Sequence, residues 1–156
     1  MAQTLRLDEQ IEQNQTYDYD GYSINLHTSI NDQSDDTAVV GHWDGTSYLI
    51  VGLPVPANTP GAGSSTVYFR IRKFELIENV TCEILQGSTS KGSLTKQGSS
   101  SWVTWSFSVS LNDYSDLRVK LSFAGEDTDV SEVWVEVPDA GSGGTVNTVI
   151  GMGCAF

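Results

Sequence analysis

Apolar and polar residues alternate one by one in four segments of the central part of the chain. A two-residue period places one side of each segment against a core and the other side in water, as in an antiparallel sheet. No helical period separates the segments, so the pattern predicts an all-β protein folded as an antiparallel jelly-roll β-sandwich. The apolar positions are Val67, Phe69 and Ile71; Val80, Cys82 and Ile84; Val103, Trp105, Phe107, Val109 and Leu111; and Leu117, Val119, Leu121 and Phe123.

Further strands are predicted on both sides of these four segments. Asp44-Gly45 is a strong signal for a two-residue hairpin, so we expect the strands before and after it to pair with each other. Residues 54–63 hold three prolines and two glycines, which predicts a long surface loop. The additional strands are expected over Tyr22–Ile30, Ala38–His42, Thr46–Leu53 and Val130–Val137.

Two segments depart from the regular pattern. Ile71 points inward and Phe74 and Leu76 then take over, which leaves Lys73 on the wrong face and predicts a β-bulge near it. Residues 86–101 are rich in Ser, Gly and Lys around Leu94, which predicts one weak strand between two turns.

The chain divides into three parts by composition. Residues 1–20 are polar and acidic and predict an N-terminal arm or an edge strand, and residues 21–138 are expected to form the sandwich. Residues 139–156 are a Gly-rich linker followed by an apolar tail, which either folds back as an extra strand or inserts into a neighbouring subunit. The tail residues predicted at such an interface are Val149, Ile150, Met152 and Phe156.

The charge balance excludes several partners. With 20 acidic and 8 basic residues the net charge is −12, so we expect no nucleic-acid binding and no attraction to anionic membrane surfaces. Neither a signal peptide nor an apolar segment of membrane-spanning length is present, which predicts synthesis in a cytoplasm. The acidic first 44 residues indicate a repelling surface or, alternatively, docking to a basic partner or cation binding.

Residue chemistry does not indicate an enzyme. His27 and His42 lie on predicted early strands, and the chain has no nucleophile elbow, phosphate loop or Cys/His metal spacing, so no catalytic residue, metal or cofactor is expected. Clustered carboxylates in turns are Ca²⁺ ligands in other proteins; none here has the spacing of a complete calcium loop, so solvated turns are expected, with one bound Ca²⁺ as the alternative. Cys82 is interpreted as a buried thiol, with a Cys82–Cys154 disulfide as the alternative.

Outward-facing aromatic and basic side chains are the candidate binding residues. Outward aromatics pack beneath loops, bury against a second subunit or stack on sugar rings. If the strands that carry Arg70, Arg72, Arg118 and Lys120 adjoin, they form a basic stripe; otherwise these residues pair within the sheets with Glu83, Glu132 and Glu136. The predicted interface residues outside the tail are Tyr68, Arg70, Arg72, Trp102 and Trp134.

Four sequence segments together resemble a jelly-roll module of structural proteins in tailed bacteriophages. The resemblance covers about residues 25–137 and implies a non-enzymatic virion protein, made in the host cytoplasm. The main expectation is a capsid decoration or cement protein that binds the major capsid protein or other virion proteins as a homo-oligomer, with a trimer as the leading case; a tail, neck or fibre component is an alternative. The segments are Tyr68–Lys73, Val80–Gly87, Trp102–Val109 and Asp113–Leu121.

The same strands are also similar to jelly-roll carbohydrate-binding modules. The similarity rests on the Trp102-x-x-Trp105 pattern, on the alternating valines of the last strand, and on Asp129 before that strand. It implies a carbohydrate- or receptor-binding module as the alternative function, with a carbohydrate as the alternative partner.

Overall fold

Eleven strands and one helical turn make up the part of the chain that the structure describes. The structure is a computed structural model, and the described residues are 2–14, 16–18, 26–31, 38–41, 47–73, 78–125 and 128–140. The elements are β1 (Ala2–Arg6), β2 (Glu9–Asn14), β3 (Thr16–Asp18), α1 (Leu26–Ser29), β4 (Val39–Gly41), β5 (Tyr48–Gly52), β6 (Ser65–Lys73), β7 (Asn79–Gln86), β8 (Thr89–Gln97), β9 (Val103–Val109), β10 (Leu117–Phe123) and β11 (Thr128–Pro138).

The strands form two antiparallel sheets that pack face to face. The first sheet has the order β3-β4-β11-β6-β9, and β1 also pairs with β11; the second has the order β2-β5-β10-β7-β8. Along one edge of β11, β4 pairs with its first half and β1 with its second half, while β6 covers the other edge. Because consecutive strands repeatedly change sheet, the prediction of an all-β jelly-roll sandwich is confirmed.

The core lies between the two sheets and uses the apolar side of each alternating segment. Phe69 and Ile71 of β6 and Val133 and Val135 of β11 are fully buried, while the residues between them face outward. Complete burial of one such side chain contributes about 1.5–3 kcal/mol to folding. Alternation in the sequence therefore predicted the inward and outward faces of these strands.

The N-terminal residues lie within the sandwich. β1 places Leu5 on the core side next to Val135, and both Leu5 and Leu7 are buried. β2 and β3 are edge strands of the second and first sheet. Ala2–Arg6, Glu9–Asn14 and Thr16–Asp18 thus occupy strand positions.

The hairpin predicted at Asp44-Gly45 does not join two paired strands. β4 pairs with β3 and β11 in the first sheet, whereas β5 pairs with β2 and β10 in the second. The prediction was wrong because a turn signal is local, while pairing is decided by which sheet buries each strand. Residues 42–46 themselves lie outside the described residues.

The predicted strand over Tyr22–Ile30 is also corrected. In its described part, residues 26–29 form the helical turn α1, and Leu26 and Ile30 are both fully buried. Residues four apart lie on one side of a helical turn, so this conformation buries both side chains at once. Asn31 then donates a hydrogen bond from Nδ2 to the backbone oxygen of Leu7 over 2.7 Å.

The irregularity of the β6–β11 pair lies on β11; Phe74 and Leu76, on which the predicted bulge near Lys73 depends, lie outside the described residues. β6 pairs regularly from Lys73 back to Ile71, and the register shifts between Val130 and Glu132, where Ser131 is the extra residue. The bulge restores alternation, so that Glu132 faces outward and Val133 inward. Across the described ranges, no helix has the length and apolar character needed to cross a membrane.

Candidate functional site

The outer face of the first sheet brings together five of the residues predicted at an interface. Tyr68, Arg70 and Arg72 alternate outward along β6, Trp134 projects from the neighbouring β11, and Trp102 precedes β9 on the other side. We call this surface the aromatic face. The four predicted tail residues lie outside the described residues.

A row of four directly paired residues crosses the aromatic face. The register sets Arg6 opposite Trp134, Trp134 opposite Tyr68, and Tyr68 opposite Ser106. The rings of Tyr68 and Trp134 are stacked, with centroids 4.8 Å apart and planes 5° from parallel, and the Arg6 guanidinium carbon lies 5.2 Å from the Trp134 centroid. Both faces of the Trp134 ring are therefore covered.

The far side of the Tyr68 ring borders small polar residues. Ser106 lies opposite Tyr68 on β9, and Thr104 and Ser108, its outward neighbours on that strand, are exposed as well. Small side chains leave the space above them empty, so Tyr68 presents one ring face over a strip of hydroxyl groups.

Hydrogen bonding fixes the tip of the Tyr68 side chain. Its hydroxyl donates to Oε2 of Glu136 over 3.1 Å. Burial, followed by this carboxylate, raises the pKa of the Tyr68 phenol above its ordinary value, so the ring is neutral at physiological pH. A neutral ring held between Trp134 and Glu136 is preorganised, which lowers the entropy lost on binding.

The second aromatic group of this face is covered by arginines. The guanidinium carbons of Arg72 and Arg70 lie 4.6 Å and 6.0 Å from the centroid of Trp102. Arg72 also donates from Nη2 to Oδ2 of Asp129 over 2.9 Å, and Arg70 donates from Nη1 to Oγ1 of Thr104 over 3.3 Å. Trp102 therefore supports the arginines, and Tyr68 is the aromatic side chain with a face available to a ligand.

Opposite charges balance on the aromatic face although the whole chain carries −12. Arg6 contacts Glu132 over 3.4 Å, and Arg72 contacts Asp129 over 2.9 Å. Arg70 lies opposite Glu132 in the register, and Glu136 accepts from Tyr68. A surface with three arginines and three carboxylates has no net charge and favours an uncharged ligand.

The predicted basic stripe does not exist. Arg70 and Arg72 belong to β6 in the first sheet, whereas Arg118 and Lys120 belong to β10 in the second, so the two pairs lie on opposite outer faces of the sandwich. The alternative, pairing within the sheets with Glu83, Glu132 and Glu136, holds for register positions only, because the ion pairs of Arg72 and Arg118 are with Asp129 and Asp116. Arg70 lies opposite Glu132, and Lys120 lies opposite Glu83.

Two concave regions were not predicted from the sequence. A cleft of about 470 Å³ lies between residues 55–60 and Asn112–Ser115, where Tyr114 and Ser65 form a hydroxyl contact of 3.3 Å. A groove of about 300 Å³ crosses the outer face of the second sheet beside Lys120. The proline-rich composition of residues 54–63 was the available signal for the cleft; the groove depends on strand register and has no local signal.

The described residues contain no group of three or more His, Cys, Asp or Glu side chains placed to hold a metal ion. His27 is half-buried in α1, and His42 lies outside the described part. Cys82 is fully buried, and this burial, more than the nearby Glu83, raises the pKa of its thiol. Cys154, its predicted alternative partner, also falls outside the described residues.

Comparison with known proteins connects this fold with carbohydrate-binding modules. No family model and no curated protein sequence matches the chain. The family 6 module of Cellvibrio mixtus lichenase 5A, solved with cellotriose, has 16% identity and a TM-score of 0.54 over 89% of this chain and 98% of its own. The C-terminal family 6 module of the laminarinase LamC from Zobellia galactanivorans has 12% identity and a TM-score of 0.54 over 89% and 100%.

A third solved structure has the same architecture. A family 35 carbohydrate-binding module from Clostridium thermocellum has 14% identity and a TM-score of 0.54, over 90% of this chain and 99% of its own. At these identities the likeness concerns the fold. The chain thus has the jelly-roll sandwich fold that carbohydrate-binding modules also have.

Proposed function

We propose that this protein is a non-catalytic carbohydrate-binding module that binds an uncharged glycan on the aromatic face. The observation that carries the proposal is the row Arg6–Trp134–Tyr68–Ser106, in which an ordered aromatic stack ends with one accessible ring face. The glycan alternative of the sequence resemblance is therefore preferred to the virion role.

The chemistry of the aromatic face fits a sugar ring. The C–H face of a pyranose is apolar and packs against the Tyr68 ring, while its equatorial hydroxyls reach hydrogen-bonding groups at the ring edge. Thr104 and Ser106 on β9 and the Glu136 carboxylate supply these groups around Tyr68. The balanced charge adds no attraction for an anionic chain.

The comparisons support the same conclusion at the level of fold. Similar structures are carbohydrate-binding modules, and one of them was solved with cellotriose. A role as a bacteriophage decoration protein has no comparable support and stays a prediction, together with the capsid partner, the trimer and the virion location. Modules of this kind bind without catalysis, which agrees with the expectation of a non-enzyme.

The experiment is a ¹⁵N-NMR titration with cellotriose, laminaritriose and xylotriose, comparing the wild type with Tyr68→Ala and Tyr68→Phe. We expect Tyr68→Ala to weaken binding at the aromatic face at least tenfold, and Tyr68→Phe to weaken it less than threefold because the ring is kept. Trp102→Ala is the matched aromatic control and is expected to change affinity less than threefold.

Two outcomes would contradict the proposal. One is that none of the three sugars shifts amide signals around Tyr68 at millimolar concentration. The other is that Asn112→Ala, in the loop cleft, abolishes binding while Tyr68→Ala leaves it unchanged, which would move the site to that cleft.

A further inference from the structure

The groove on the second sheet lies across all five of its strands. We call it the β10 groove; its central residues are Glu12, Ile50, Glu83, Leu85, Ser90 and Lys120. The register sets Glu12 opposite Ile50, Ile50 opposite Lys120, and Lys120 opposite Glu83. Its volume of about 300 Å³ is at the lower end of the range for small-molecule sites.

One end of the β10 groove is held by a fixed turn. Gly87 begins the two-residue connection between β7 and β8 with φ of +58°, and its amide donates to the backbone oxygen of Asp116 over 2.9 Å. Asp116 in turn accepts two hydrogen bonds from Arg118, over 2.9 and 3.1 Å. The Arg118 guanidinium is thus engaged by Asp116 at this end of the groove.

The centre of the groove carries polar groups that are still available. The Lys120 ammonium lies 5.2 Å from the Tyr48 ring centroid, and the Tyr48 hydroxyl donates to Glu12. Within the described ranges, the structure shows no hydrogen bond or ion pair for the side chains of Lys120, Glu83 and Ser90. A donor and an acceptor on neighbouring strands therefore face the same space.

A carboxylate beside an ammonium, neither with a hydrogen-bond or ion-pair partner among the described residues, matches two adjacent hydroxyls of a sugar. The carboxylate of Glu83 accepts from one hydroxyl, and Lys120 donates to the oxygen of the next. Ile50 is half-buried and Leu85 is 8% exposed, so they form an apolar floor for the C–H face of the ring. Ser90 is exposed at the rim and adds a hydroxyl.

Charge argues against an anionic ligand. Arg118 and Lys120 are outnumbered by the carboxylates of Glu12, Glu83 and Asp116, and the whole chain carries −12. An uncharged polyol satisfies both the donor and the acceptor without adding charge to this surface.

We infer that the β10 groove is a second saccharide site, selective for an uncharged sugar. The inference takes its ligand class from the proposed function but depends on different residues, on the opposite outer face of the sandwich. Two sites that face away from each other hold two glycan segments at once, which makes the protein a bridge between chains and raises avidity for an insoluble polysaccharide.

The test is a ¹⁵N-NMR titration with cellotriose, laminaritriose, xylotriose and, as an anionic counterpart, trigalacturonate. We expect a neutral sugar to shift amides of two separate groups, one around Tyr68 and one around Glu83, Ser90 and Lys120. Glu83→Gln and Lys120→Met should each weaken the second group at least tenfold and leave the first unchanged. Lys91→Met, an exposed lysine of β8 outside the groove, is the matched control.

Each result separates the two proposals. Shifts around Tyr68 alone overturn the second site and leave the proposed function standing, whereas shifts in the β10 groove alone overturn the site on the aromatic face. Tighter binding of trigalacturonate than of every neutral sugar in the groove overturns the inferred selectivity. No shift with any sugar overturns both proposals, and dispersed spectra of the variants confirm that they are folded.

Discussion

Arg72 and Asp129 form an ion pair that connects β6 to β11 beneath the aromatic face. The Nη2–Oδ2 distance is 2.9 Å, and the Asp129 side chain is only 5% exposed. The same guanidinium lies 4.6 Å from the Trp102 centroid, so one arginine connects β11, β6 and the residue that precedes β9. Asp129, which precedes the last run of valines, is thereby a structural residue of the sheet.

Replacing Arg72 should therefore cost more than replacing an equally exposed arginine whose carboxylate partner faces the solvent. Arg72→Met removes the guanidinium that contacts the buried Asp129 carboxylate, and we expect a loss of about 2–3 kcal/mol in the free energy of unfolding. Arg118 is the matched control because it contacts Asp116 at the same 2.9 Å, but Asp116 is 56% exposed. Arg118→Met should lose at most about 1 kcal/mol. Urea denaturation measures both, and equal losses would contradict the structural role of Asp129.

The β7–β8 turn gives a prediction about backbone conformation. Gly87 has φ of +58°, which costs a residue with a Cβ atom about 1–2 kcal/mol. Gly87→Ala should therefore destabilise the protein by about 1 kcal/mol, although its Cβ would approach Asp116 Oδ2 no closer than 3.4 Å. In Gly92→Ala on β8 the new Cβ makes ordinary contacts of 3.5–3.8 Å with Phe107 and Val109, so stability should be unchanged or slightly higher. Thermal unfolding of the two variants distinguishes strain from crowding, and a Gly92→Ala loss as large as that of Gly87→Ala would refute the argument.

Cys82 should be unreactive as long as the sandwich is folded. Its side chain is fully buried, and the raised pKa keeps the thiol protonated, while the thiolate is the reactive form. In a Cys154→Ser background we expect no labelling by a thiol-specific disulfide reagent in buffer and one equivalent in denaturing urea. Fast labelling under native conditions would show that the β7–β10 region opens readily.

The pKa of Tyr68 should depend on Glu136. Burial and the Glu136 carboxylate raise the pKa of Tyr68 above the ordinary tyrosine value of 10.0. Glu136→Gln should therefore lower this pKa toward 10.0, as measured by ¹³C-NMR titration of the tyrosine ring. The folded-state pKa exceeds the unfolded one, so this group's contribution to stability is complete below about pH 10 and is lost as pH rises through the folded-state pKa. The Tyr68→Phe variant lacks the Tyr68 ring signal and so assigns that resonance in the wild-type spectrum. An unchanged Tyr68 titration in Glu136→Gln would mean that burial alone causes the shift.

The sequence predicted those features that depend on alternation within one strand. Tyr68 and Trp134 were both placed outward, and Val133 and Val135 inward, because a two-residue period assigns each side chain to a face without knowledge of the neighbours. The sandwich followed from the same period. The direct stacking of Tyr68 on Trp134 did not, since it requires the register between β6 and β11, and that register includes the Ser131 bulge.

Features that depend on which strands become neighbours could not be predicted from the sequence. Glu83 and Lys120 are 37 positions apart, and nothing in either segment indicates that they face each other. The failed hairpin between β4 and β5 has the same origin, as does the basic stripe expected from Arg72 and Arg118. In a jelly roll, neighbours in sequence are often assigned to opposite sheets, so local signals mislead most where strands change sheet.

Ala2 pairs with Pro138, so the first and the last described strands lie side by side in the first sheet. Circular permutation is therefore feasible: a short connector from residue 138 to residue 2 would turn a pairing between distant strands into a local hairpin. New ends could open beside the exposed Val55, ahead of residues 58–61, which are hydrogen-bonded to Gln3, Pro138 and Ala140. Since local pairings lower the contact order, the rearranged molecule should fold faster than the natural one while keeping both outer faces intact.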